Sequence, residues 1–95
     1  MSFNLIVTLA AREDTLHAVI YYESVQEEFG GDFLKDLEDW YAAICKNPFA
    51  YSYTDSKSIL RDVSLNRFPF VIIFKVEGVS VIILSVHNIH KKSFS

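Results

Sequence analysis

The side chains able to act at a phosphate or a proton-transfer centre are few, and most lie in the second half of the chain. Arg61 and Arg67 can hold an anion through planar guanidinium groups, and Lys57, Lys91 and Lys92 add compact positive charges. Histidine is the side chain suited to proton transfer near neutral pH, and His87 and His90 place two of them in the same region. In extended chain an odd spacing sends the two rings to opposite faces, so they share a site only if the chain bends after His87. Each of these residues also has a structural reading. His87 can be hydrogen-bonded at a sheet margin, Arg61 can be a rim residue paired to Asp55 or Asp62, and Arg67 can be solvated at a turn.

Other chemistries have no starting pattern. Cys45 is the sole cysteine and falls on an apolar helical arc, no carboxylate neighbours the histidines, and no ligand spacing recurs, so neither a metal nor a cofactor is expected. No nucleophile-elbow motif introduces a catalytic serine, and Gly30-Gly31 lacks the preceding strand of a phosphate-binding loop.

The elements that must position these residues can be read from hydrophobic spacing. Residues 58–87 contain three runs rich in Ile, Val and Phe, parted by Asn66-Arg67-Phe68-Pro69 and by Glu77-Gly78. Gaps this short exclude parallel crossovers, so the runs read as an antiparallel three-stranded meander with Pro69 opening the middle strand. Ile72, Phe74 and Val76 share one face of that strand and Val71 and Ile73 the other, while strict alternation in the last run sets Val81 and Ile83 against Ile82, Leu84 and Val86. Both faces are apolar, so a cover is expected on each, one from this chain and one from a partner.

Upstream, residues 3–9 suit a first strand, and Thr8 can cap a helix after it. Ala11, Thr15, Ala18, Tyr22, Val25 and Phe29 make one stripe of that helix, which Gly30-Gly31 is expected to end. Asp32 is the expected N-cap of a second helix whose apolar arc is Phe33, Leu34, Leu37, Trp40, Tyr41, Ile44 and Cys45, and Asn47-Pro48 stops it. The aromatic residues of the connection 49–55, namely Phe49, Tyr51 and Tyr53, read as cover for the edge of the core. The expected fold is a single α+β domain over residues 1–95, in which a helical hairpin packs on an antiparallel sheet in the order β-α-α-β-β-β.

Ninety-five residues suffice for one independently folding domain, which buries roughly 60 to 70% of its extended surface. No basic region precedes the short apolar start, so neither a signal peptide nor a membrane anchor is read, and a reducing cytoplasm is the expected compartment. The net charge of −3 opposes bulk electrostatic binding of nucleic acid. Its distribution is uneven: residues 10–47 carry nine acids against three bases, and residues 48–95 carry three acids against six bases. An anionic ligand or acidic partner is therefore expected on the C-terminal half.

Several short words, in this order, resemble the RelE/ParE superfamily of toxins from type II toxin-antitoxin (plasmid stabilisation) systems. They are Ala18 with Tyr21-Tyr22-Glu23, Gly30-Gly31 with Phe33, Ile44 with Asn47-Pro48, Tyr51, Arg61, Arg67-Phe68-Pro69-Phe70 with Ile72, and His87. The resemblance covers about residues 10–90. It implies a small cytoplasmic, growth-inhibiting toxin held inactive by a cognate antitoxin that wraps it, as a toxin-antitoxin hetero-oligomer or a homodimer. RelE-like members cleave messenger RNA on the ribosome, with basic side chains stabilising the phosphorane, whereas ParE-like members poison DNA gyrase.

By the resemblance, Arg61 matches the arginine of the family's second strand and His87 the histidine that often closes the last. Catalytic roles would fall on Arg61, His87 and His90 in a RelE-like enzyme, and target binding on Lys57, Arg61, Arg67, His87, Lys91 and Lys92. The tail departs from the family's H-x-x-R ending followed by proline and an aromatic residue. His90 replaces the arginine, and no tail tyrosine can serve as proton donor. The expected function is therefore a ParE-like toxin, the alternatives being a RelE-like endoribonuclease and a non-toxic relative that retains only antitoxin binding.

Overall fold

The computed structural model describes residues 2–90. Three of its strands form the expected meander: β2 (Arg61–Ser64), β3 (Phe70–Glu77) and β4 (Ser80–Asn88), paired antiparallel. Gly78 opens the two-residue turn between β3 and β4 with φ 58°, a left-handed conformation that glycine adopts without steric cost. The first strand, β1 (Asn4–Val7), joins the free side of β4 in parallel, so the sheet is mixed, with order β1-β4-β3-β2. Both helices lie between β1 and the meander, and that length of chain permits a parallel neighbour.

Two helices cover one face of the sheet. Helix α1 (Leu9–Val25) starts at Thr8, whose Oγ1 accepts the Ala11 N–H at 3.2 Å and donates to the Ile83 carbonyl at 2.8 Å. One threonine thus caps the helix and ties it to β4. Helix α2 (Phe29–Lys46) begins earlier than its sequence suggests, and Gly30 and Gly31 sit in its first turn instead of ending α1. The break falls at Glu28, which takes φ 71°. Nor is Asp32 the cap. The Glu23 carboxylate of α1 accepts the Glu28 and Gly30 N–H groups at 3.0 and 2.9 Å, satisfying donors that open the second helix. Gly30 is required for proximity: a Cβ there would stand 2.7 Å from the Val19 carbonyl oxygen of α1.

The core lies between the hairpin and the sheet, with Phe33, Leu37 and Ile44 of α2 meeting Ile72, Phe74, Val81, Ile83 and Val86. Phe68, in the turn before β3, is buried against Tyr22 and Phe33 at ring-centroid distances of 4.9 and 5.2 Å. The Arg67-Phe68-Pro69-Phe70 word is thus an inward anchor for that turn.

One irregularity redirects the end of β4. Ile73 pairs with Ser85 but Phe74 pairs with Ile83, which leaves Leu84 as the extra residue of a β-bulge. Every later residue changes face. Val86 joins Val81 and Ile83 in the core, contrary to strict alternation, and Ser85 and His87 are carried to the face away from the helices. β1 has ended at Val7 opposite Ile83, so among the described residues no strand neighbours this segment on that side. The Asp14 carboxylate of α1 takes the place of a strand, accepting the Val86 N–H at 3.0 Å.

Candidate functional site

Arg61 stands directly opposite Phe74, which places it on the helix-covered side of the sheet at its β2 edge. Its guanidinium donates to the Tyr51 carbonyl at 2.6 Å and lies 3.9 Å from the Tyr53 ring centroid and 5.3 Å from that of Phe49. These contacts fasten the connection after α2 to β2, with cation-π attraction adding to the hydrogen bond. Neither expected acid pairs with it. Asp55 accepts the Lys57 backbone N–H at 2.9 Å, and Asp62, opposite Ile73, faces the other way. Of the three aromatic residues expected to cover the core's edge, Tyr51 does so, packing on Trp40 and Phe74, while Phe49 and Tyr53 stay more than half exposed.

His87 stands on the opposite face, its Nδ1 3.0 Å from Ser85 Oγ. Ser85 Oγ in turn lies 3.4 Å from Asp14 Oδ2. The proton arrangement that satisfies all three groups has the serine hydroxyl donating to the carboxylate and accepting from Nδ1–H of His87. The strand bulge and the α1 carboxylate together orient the imidazole. His90 lies exposed in the turn after β4, its backbone N–H donating to Asn88 Oδ1 at 2.8 Å.

The remaining cations are dispersed. Lys57 is exposed in the loop before β2, and Arg67 is exposed with its guanidinium 5.5 Å from the Phe68 ring centroid. Lys75 pairs with Glu77 at 2.8 Å. Lys91 and Lys92 lie outside the described residues. Arg61 and His87, the two residues matched to a catalytic pair, are therefore on opposite faces of one sheet.

The face without helices carries a cavity of about 530 Å³. Leu60, Val71, Ile73 and Leu84 give it an apolar lining, and Asp62, Thr54, Ser85 and His87 give it polar walls. Asp62, Ser85 and Asp14 escape sequence reasoning as site residues. Asp62 has a legible signal, a lone acid in a strand whose neighbours alternate. Ser85 and Asp14 have none, because their roles depend on the bulge.

Other reactive groups lie in the core. Burial pushes the Cys45 thiol up, away from the thiolate that a nucleophile needs. Burial, opposed in part by the Thr15 side chain, pushes the Tyr41 hydroxyl up to about 12. Among the described residues, no group of three His, Cys, Asp or Glu side chains could hold a metal ion, and no helix is long and apolar enough to cross a membrane.

No family model matches this sequence, and no curated protein does. Solved structures do match. A chain of the chromosomal ParDE TA system from P. aeruginosa superposes with a TM-score of 0.81 at 19% identity, over 92% of this chain and 96% of that one. This chain shares the fold of that ParDE chain. A chain of the toxin-antitoxin complex RelBE2 from Mycobacterium tuberculosis superposes with a TM-score of 0.61 at 13% identity, covering 93% and 99% of the two chains. Identities this low carry the fold across while leaving side chains to differ.

Proposed function

We propose that this chain is the toxin of a type II toxin-antitoxin pair, bound and neutralised by a cognate antitoxin in the cytoplasm, and that it acts as a ParE-like inhibitor of DNA gyrase. The observation that supports a protein target over messenger RNA is the dispersal of cations among the described residues. Phosphoryl chemistry on RNA needs several positive groups converging on one phosphate. Here Arg61 is held by Tyr51, Tyr53 and Phe49 on the helix side, Lys75 is paired to Glu77, and the open face presents Asp62. A surface that binds protein needs no such cluster. The likeness to a ParDE chain supports the same reading.

A second reading, RelE-like cleavage of messenger RNA, has one observation in its favour, the Asp14–Ser85–His87 chain that orients an imidazole on the open face. The purified chain decides between them. In a supercoiling assay it is expected to inhibit gyrase and accumulate cleaved DNA, while translation in a parallel reaction continues. Codon-specific messenger cleavage on ribosomes, lost in His87→Ala, would reverse the ranking. Tight antitoxin binding with no effect on either target would identify a non-toxic relative.

A further inference from the structure

We infer that the cavity on the helix-free face of the sheet is a receptor for one basic side chain, arginine or lysine, presented by a protein partner. This rests on the reading of the chain as a protein-binding toxin and names the chemistry of what it binds. Asp62 and Ser85 both stand opposite Ile73, on either side of β3, so they are separated by two strand spacings, roughly 10 Å. Between them Ile73, Val71 and Leu84 form an apolar floor. The site is therefore an apolar trough with a carboxylate on one wall and the Ser85–His87 pair on the other.

A long aliphatic stem with a cationic head fits both parts, since lysine and arginine lay their methylenes on apolar surface and project the charge beyond. Asp62 forms no ion pair with any described residue. A purely apolar side chain in the trough would strip water from that carboxylate and give nothing back, which is costly. An anionic ligand meets Asp62 with no lysine or arginine among the described lining residues to offset it. Phosphate-bearing partners, nucleic acid included, are disfavoured on the same ground. A guanidinium, planar and able to bind a carboxylate through two parallel hydrogen bonds, is the better of the two heads.

The test uses the whole chain, labelled for NMR, and three capped tripeptides differing at the central residue: Leu-Arg-Leu, the neutral isostere Leu-citrulline-Leu, and Leu-Glu-Leu. The arginine peptide is expected to shift the amide resonances of Val71, Ile73, Leu84 and Ser85, and to bind about ten-fold or more tightly than the citrulline peptide, the ratio expected for one charge-assisted hydrogen-bonding pair. Asp62→Asn, nearly isosteric and set in an intact strand, should erase that preference while leaving the rest of the spectrum in place. Equal shifts from all three peptides, a preference that survives Asp62→Asn, or no shift at those residues up to about 10 mM peptide would each overturn the proposal. Failure here leaves the gyrase reading standing, because the peptides report only on the trough and the supercoiling assay only on the target.

Discussion

Arg61 shows why residue type and position do not settle a role. Its place in the first meander strand is legible, but the Tyr51 carbonyl and the Phe49 and Tyr53 rings that hold it come from an irregular connection whose path no periodicity encodes. Arg61→Ala should therefore cost about 1 to 3 kcal/mol in urea unfolding, as for loss of a charged hydrogen bond. Arg61→Lys should recover only part, since the ammonium lacks the planar face that stacks between rings. Wild-type stability in Arg61→Ala would return the residue to the target contacts. Tyr41 gives a second residue-scale test. Its hydroxyl is buried with no hydrogen bond of good geometry among the described residues, and burial, opposed in part by the Thr15 side chain, raises its pKa from 10.0 to about 12. A proton held more tightly in the folded state means that stability is intact below pH 10 and is lost as pH rises towards 12. Tyr41→Phe should be neutral or up to about 1 kcal/mol more stable at pH 7, and should flatten part of that alkaline loss. An unchanged alkaline profile would show that the hydroxyl reaches solvent.

Among the elements, those with strong periodicity are readable from sequence and those set by long-range contact are not. Both helices and the meander can be read from spacing, because each buries one face against the other. The helix joint falls elsewhere than its glycines suggest because they serve proximity: Gly30 lets α1 and α2 approach, while a Cβ at Gly31 would meet nothing within 4 Å. The two glycines should therefore respond oppositely. Gly30→Ala is expected to destabilise by about 1 to 3 kcal/mol through overpacking against the Val19 carbonyl, and Gly31→Ala to stabilise by about 0.5 kcal/mol through helix propensity. Thermal melts of the two variants suffice, and a common sign would contradict the placement. The bulge at Leu84 is likewise invisible in sequence, because its stabilising partner is Asp14, 72 positions away from Val86. One extra residue exchanges the faces of His87 and Val86, and with them the composition of the candidate site.

At the scale of the molecule, the uneven charge and an unburied helix face point to the same kind of partner. Leu9, Leu16 and Ile20 of α1, spaced seven and four apart, are 72%, 56% and 58% exposed on the face away from the core. Apolar groups at this spacing suit a partner helix or extended segment more than water. The acids Glu13 and Glu27 lie in and just beyond the same helix, so a partner that meets this face should carry bases around an apolar seam. Hydrophobic contact would supply the lifetime of such a complex and the charges its rate of formation. With the antitoxin proposed for this chain, Leu16→Glu with Ile20→Glu should raise the dissociation rate at least about ten-fold and leave the melting temperature nearly unchanged, as surface substitutions usually do. Raising the salt from about 0.05 to about 0.5 M should slow association of the parent pair while barely altering its dissociation, because screening acts on approach more than on desolvated contact. If the double substitution leaves antitoxin binding intact, the partner sits elsewhere, and the open face of the sheet with its Asp62 trough becomes the principal docking surface.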